Sequence, residues 1–212
     1  MALYVLTPSA NLPVTLADAK AHLRVDYTTD DALITGLITA ATDYVERYTR
    51  KSLCYKTYRY TIDTFPWGPI ELPRQPVPAI IADGVTYTYN MPRFQYYDNG
   101  GTLQTLTAGT DYEYDLNFNP PRVMIPPSHY WPLTQPAKRN AVQIDFVAGY
   151  SADGSNVPQG LKLAIMGITA HWYETRTAVS EVNMNDVPFA YRAILDIYKA
   201  GDYQAHQIGG YQ

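Results

Sequence analysis

A single cysteine in 212 residues rules out an internal disulfide and a multi-cysteine zinc site. That residue, Cys54, reads as a small hydrophobe at the start of a strand. Positive charge is also scarce. Sixteen Lys and Arg against 20 Asp and Glu leave a net charge of −4, which argues against a protein that grips nucleic acid by neutralising many phosphates. No run approaches the ~20 consecutive apolar residues of a membrane span. The opening stretch MALYVLTPSANLPVT lacks the basic start and apolar core of a signal peptide. A soluble chain that stays where it is made is expected, and its cysteine usage fits a reducing cytoplasm.

Signatures of catalysis are missing too. No phosphate loop of the form G-x-x-x-x-G-K-[ST] occurs. His22, His129, His171 and His206 are scattered, with no H-x-x-x-H or H-E-x-x-H pairing. The segment GYSADG places Ser151 near a nucleophile-elbow pattern, but its second glycine falls one residue late and a polar loop follows where a helix is needed. ADG and DNGG read as hairpin turns, since they lack the carboxylate spacing of a calcium loop. His171 and Glu174 lie three apart on an expected helix and are the remaining candidate pair for acid/base work or metal binding, with no third ligand in view. No catalytic residue, metal or cofactor is therefore expected.

Hydrophobic residues make up 46% of the chain, enough for a substantial core, and 20 of them are tyrosines against 5 Phe and 3 Trp. A large ring with a polar tip suits half-buried strands and wet protein interfaces.

Along the chain, Thr15 caps a short helix, LADAKAHLR. In DDALITGLITAATDYVERYTR, Leu33, Ile34, Leu37, Ile38, Ala41, Tyr44, Val45 and Tyr48 form one stripe, with Thr35, Thr39, Asp43, Glu46 and Arg50 opposite. Asp30 and Asp31 suit the helix N-terminus, and Arg47, Arg50 and Lys51 its other end. From Cys54 the period changes to two, Tyr58, Tyr60 and Ile62 alternating with Arg59, Thr61 and Asp63. The five prolines of PWGPIELPRQPVPA confine that stretch to a sheet edge or a surface. Strand candidates IIADGVTYTY, TLQTLT, DYEYDL, RVMIP and AVQIDFVAGY follow, separated by ADG, YDNGG, NPP and proline-rich turns.

Pro158 fits the first position of a helix running to about Arg176. Pro188 starts a last one, PFAYRAILDIYK, with Phe189, Ile194, Leu195 and Tyr198 inward and Gly201 as its stop. The expected class is α+β: a small core of four helices, two N-terminal and two C-terminal, with an antiparallel β insertion. The expected division is a helical core from 1–53 and 157–200, a β-rich insertion over 54–156, and a flexible tail over 201–212.

The penultimate helix, VPQGLKLAIMGITAHWYETR, is apolar nearly all round. Leu161, Ile165, Ile168 and Trp172 form an inner stripe, while Leu163, Met166, Ala170 and Tyr173 occupy much of the opposite side. Such a helix must be covered on both sides, so Leu163, Met166 and Tyr173 are candidate subunit-interface residues. Ala164 and Gly167 would let another helix approach closely.

The series LITGLITAATDYVERYTR, FPWGPIELPRQPV, FVAGY, VPQGLKLAIMGITAHWYETR and VPFAYRAIL, in that order and spacing, resembles the head-tail connector (adaptor) proteins of tailed bacteriophages. The resemblance implies a non-enzymatic subunit of the virion neck, made and assembled in the bacterial host cytoplasm. It implies a ring of about twelve copies below the portal protein, built by head-to-tail contacts. It further implies a docking surface for a stopper or tail-completion protein, and a lumen through which packaged DNA passes without being recognised. Tyr203, Ile208 and Tyr211 of the tail would then reach the portal by strand addition or pocket filling. A Tyr-rich host- or carbohydrate-binding tail module is the alternative that composition leaves open.

Overall fold

A computed structural model describes residues 1–78, 94–175 and 189–200. In chain order these residues form β1 (Ala2–Thr7), α1 (Leu16–Leu23), α2 (Asp31–Thr49), β2 (Lys56–Ile62), β3 (Ile70–Glu71), β4 (Phe94–Tyr97), β5 (Leu103–Leu106), β6 (Glu113–Asp115), β7 (Arg122–Met124), β8 (Val142–Ala148), α3 (Gln159–Glu174) and α4 (Phe189–Tyr198). One antiparallel sheet has the order β1-β2-β8-β4-β5, and a smaller one has the order β3-β7-β6. The described residues thus make an α+β fold, with four helices and antiparallel sheets.

The first helices begin and end as local chemistry requires. Thr15 Oγ1 accepts from the Asp18 backbone N–H at 3.1 Å and donates to the Asp18 carboxylate at 2.7 Å. These two bonds satisfy an otherwise orphaned donor of the first turn. Arg24 and Arg50 then take left-handed conformations at the C-caps of α1 and α2, with φ of 57° and 56°.

The buried face of α2 differs from the sequence expectation. Ile34, Ile38, Ala41 and Val45 are inward as expected, but so are Thr42, Glu46 and Thr49, while Leu33 is exposed. Thr42 and Thr49 tolerate burial because each hydroxyl donates to the carbonyl four residues back, Ile38 and Val45, both at 2.7 Å. With Leu161, Ala164, Ile165 and Ile168 of α3 and Leu195 of α4, the apolar residues of α2 close one core cluster.

A second cluster lies on one face of the large sheet. The pairing register aligns Leu3, Tyr60, Ile144, Phe94 and Leu106 into a single apolar row that crosses all five strands. Neighbouring residues point the other way and align Ala2, Thr61, Gln143, Gln95 and Thr105 into an uncharged row, polar in all but Ala2. On that outer face Arg59 grips Asp145 with two hydrogen bonds, 2.7 and 2.8 Å, across β2 and β8. The proline-rich stretch contributes β3 at an edge of the small sheet, as its prolines demand, and Ile70 and Leu72 anchor it in the second cluster.

Several sequence expectations need correcting. FQYY, placed between strand candidates, is β4, which lies between β8 and β5 with Phe94 wholly buried. Its four residues give too short an alternation to stand out. Residues 2–7, expected with the helices, pair with β2 in the large sheet. Pro158 is the N-cap of α3 and Gln159 its first residue. Phe189, expected inward, is 85% exposed, and Tyr191 packs on the helical core in its place. IIADGVTYTY and the expected end of α3 at Arg176 lie outside the described residues.

Candidate assembly surface

The approach of α4 to α3 is made through glycine. Gly160 and Gly167 are two helical turns apart on α3, and Tyr198 and Tyr191 are equally spaced, in the opposite sense, on α4. A Cβ on Gly167 would sit 2.0 Å from the Tyr191 ring, and one on Gly160 would sit 2.9 Å from the Tyr198 hydroxyl. The close helical neighbour anticipated at Gly167 is therefore the chain's own α4. Tyr48 at the end of α2 adds a hydrogen bond to Asp196 at 2.6 Å, and the Ala200 N–H donates to the Thr49 carbonyl at 2.7 Å.

The three residues singled out on α3 differ in their surroundings. Leu163 is 43% exposed. Met166 is half-buried against the helical cluster. Tyr173 is also half-buried, and its hydroxyl donates to Asp30 Oδ2 at 2.6 Å and lies 2.9 Å from the Tyr27 hydroxyl. Beside it, Lys20 bonds Asp31 at 2.6 Å and the Tyr27 carbonyl at 2.7 Å, so the turn joining α1 to α2 is fastened to α1 and α3. Tyr173→Phe is expected to lose these hydroxyl bonds and lower stability by about 1 kcal/mol, read as a shift in the urea midpoint. An unshifted midpoint would show that the hydroxyl bonds of Tyr173 add nothing to stability. Tyr203, Ile208 and Tyr211, with His206, lie outside the described residues.

The candidate chemical groups sit in ordinary structural settings. His171 is half-buried and its carbonyl accepts from the Thr175 N–H at 3.0 Å, while Glu174 is exposed. Among the described residues, no three His, Cys, Asp or Glu side chains gather as metal ligands. Ser151 is buried, and its Oγ accepts from the Asn156 N–H at 3.2 Å. In the same loop, hydrogen bonds from the Ser155 hydroxyl and N–H, and then from Ser151, hold the Asp153 carboxyl down at about 2. GYSADG is thus a hydrogen-bonded loop built around its own serine and aspartate.

Cys54 lies beneath this loop, and burial pushes its thiol up to about 11 from 9.0. Its thiolate is scarce in the folded chain until the pH nears 11, whereas an exposed cysteine ionises about two pH units earlier. Alkylation by iodoacetamide at pH 8 is expected to be slow in buffer and rapid in denaturant, as mass spectrometry would record. Equal rates would show the thiol to be open.

Sequence reasoning missed Glu46, which a helical projection puts on the polar side. The residue is 5% exposed. Its Oε1 accepts from the Leu53 N–H at 2.9 Å, its Oε2 pairs with the Lys56 ammonium, and its backbone carbonyl accepts from Arg74 at 2.8 Å. The carboxylate joins the end of α2 to the start of β2, and the Arg74 bond adds the proline-rich segment. The one local sign of it is the pair of apolar neighbours, Tyr44 and Val45, that precede it.

Large apolar side chains outside the cores mark the surface. Tyr4, Val5 and Leu6 are exposed on β1, Phe189 and Ile197 on α4, and Trp67, Tyr130 and Leu133 on proline-flanked loops. Those loops are held together by Phe65 stacked on Trp131, with ring centroids 4.8 Å apart. Among the described residues, no helix is long and apolar enough to cross a membrane.

The described residues thus pair two packed cores with exposed large apolar side chains. The chain belongs to the phage gp6-like head-tail connector family, whose model matches residues 13–120. That family is a structural one, and its members are virion connectors. Solved chains that share the fold include three from gene transfer agent particles. One comes from the virion of a native gene transfer agent particle, with a TM-score of 0.74, 23% identity, and coverage of 94% of this chain and 96% of that one. A second comes from the neck of an empty particle of that kind, computed with C6 symmetry, with a TM-score of 0.72, 24% identity and the same coverage. The third comes from the neck of the native particle, computed with C12 symmetry, with a TM-score of 0.71, 23% identity and the same coverage. No curated protein matches the chain.

Proposed function

We propose that this connector forms a closed ring of about twelve copies below the portal protein of a DNA-filled head, and that the ring offers the surface on which a stopper or tail-completion protein docks. The observation that carries the reading is the fold match over 94% of the chain to a protein from a neck computed with C12 symmetry, together with the connector-family model over residues 13–120. Ring contact would draw on the outer side of α3, where Leu163 is most exposed and Met166 and Tyr173 border it. Packaged DNA passes through the lumen unrecognised. A net charge of −4 supports this, because a chain rich in Lys and Arg would hold the duplex by counterion release. Assembly takes place in the host cytoplasm and ends in the virion neck. The tyrosine-rich host-binding alternative places the chain at the far end of the tail.

Electron microscopy of purified particles separates the two. A ring of this chain, located by a fused tag between portal and tail, is the expected result. Tag density at the tail tip, or none on the particle, overturns the reading.

A further inference from the structure

Among the described residues, the outer edges of the five-stranded sheet, β1 and β5, lack two of the usual devices that stop edge strands from pairing with other chains. Neither ALYVLT nor LQTL contains a charge or a proline. The irregularity in β1 pairing falls between Val5 and Thr7, so Ala2 to Val5 present a regular edge. Val5 faces the sheet's buried side, directly opposite Tyr58, yet is 52% exposed, because among the described residues no strand continues the sheet beyond β1. Leu103 on β5 is exposed as well.

The rows described above bear on what covers these edges. The apolar row begins with Leu3 at one edge and ends with Leu106 at the other, and both pack against the sheet's core cluster. The uncharged outer row likewise runs from Ala2 to Thr105. A second sheet laid alongside in the same orientation continues the apolar row with an apolar one and the uncharged outer row with an uncharged one, on the matching faces. All four strand pairings are antiparallel, so β1 and β5 run in the same direction. Head-to-tail repetition therefore makes a parallel β1–β5 junction, whereas a two-fold dimer would have to join β1 to β1 or β5 to β5.

We infer that β1 of one subunit pairs with β5 of the next, so that the occupant of each edge is a second copy of this chain. The two edges differ, so the contact is heterologous and repeats from copy to copy, as a closed ring requires. The inference rests on the ring reading and supplies one of its contacts. Because the junction is made of backbone hydrogen bonds and uncharged side chains, it holds in high salt.

The test uses the full chain with one lysine on either edge, Val5→Lys or Leu103→Lys, since edge lysines are a common natural guard. Both positions are exposed, and unchanged thermal midpoints confirm that the variants fold. In sedimentation velocity, wild type is expected to self-associate as concentration rises. Each variant alone should associate at least about tenfold more weakly. An equimolar mixture should form 1:1 heterodimers, because Leu103→Lys keeps an intact β1 and Val5→Lys an intact β5. Wild-type-like association by either variant, a mixture without heterodimers, or wild type monomeric at every soluble concentration overturns the inference. A neck ring seen in particles alongside any of those results leaves the connector function standing and moves the subunit contact elsewhere.

Discussion

Gly149→Ala is expected to destabilise the chain by about 4 kcal/mol, the sum of backbone strain and a clash that cannot relax. Gly149 lies just past β8 with φ at +142°, a conformation that a side chain rarely tolerates. A Cβ there would come within 2.6 Å of the Cys54 carbonyl carbon and 2.7 Å of the Tyr55 nitrogen, both backbone atoms. Those atoms are fixed from both sides. The Tyr55 N–H donates to the Ser151 carbonyl at 3.0 Å, and the Gly149 N–H donates to the Pro76 carbonyl at 2.8 Å. Relief would have to separate the strand leaving α2 from the strand entering α3, where the two core clusters meet. Urea denaturation monitored by circular dichroism measures the effect. A loss below about 1 kcal/mol would mean that residues 53–55 yield freely and do not form a rigid joint.

Glu46→Ala is expected to cost about 3 kcal/mol. It leaves the buried Leu53 N–H without its acceptor and the part-buried Lys56 ammonium without its partner. Breaking one half of a buried pair is worse than removing both halves, so Glu46→Leu combined with Lys56→Met should recover part of the loss. Glu46→Gln should be the mildest single change, because an amide oxygen can still accept from Leu53. A free-energy cycle over wild type, Glu46→Leu, Lys56→Met and the double variant gives the coupling between Glu46 and Lys56. Additive losses would show that the pair does not act as a unit.

Much of the helical part was legible because its signals are local. Thr15 with Asp18, and the 3.6-residue period from Ile34 to Val45, mark α1 and α2 within a residue of their ends. Val142 to Phe146 alternate apolar with polar, and the stretch to Ala148 forms the central strand that pairs with both β2 and β4. Phe94 to Tyr97 give no comparable signal. Their place in the sheet depends on Ile144, Gln143 and Val142, supplied by a distant stretch.

The candidate surface was legible as a composition and much less as a geometry. A helix with two apolar sides was evident in α3, but its neighbours were not. Gly167 turned out to receive Tyr191 of the same chain, and the hydroxyl of Tyr173 reached back to Asp30. Glu46 looked like a solvated residue because its partners come from β2 and the turn before it.

By itself the sequence determined the α+β class, the order and approximate ends of most elements, and a series of segments matching head-tail connectors. These rest on local periodicity, capping and punctuation, which act over a few residues. Only the tertiary structure decided which side of each element is buried, that β4 lies inside the sheet, and that two uncharged strands form its edges. The physical reason is that one residue turns a helix by about 100° and flips a strand completely. A face is therefore settled by the partner that packs on it, and that partner comes from far along the chain.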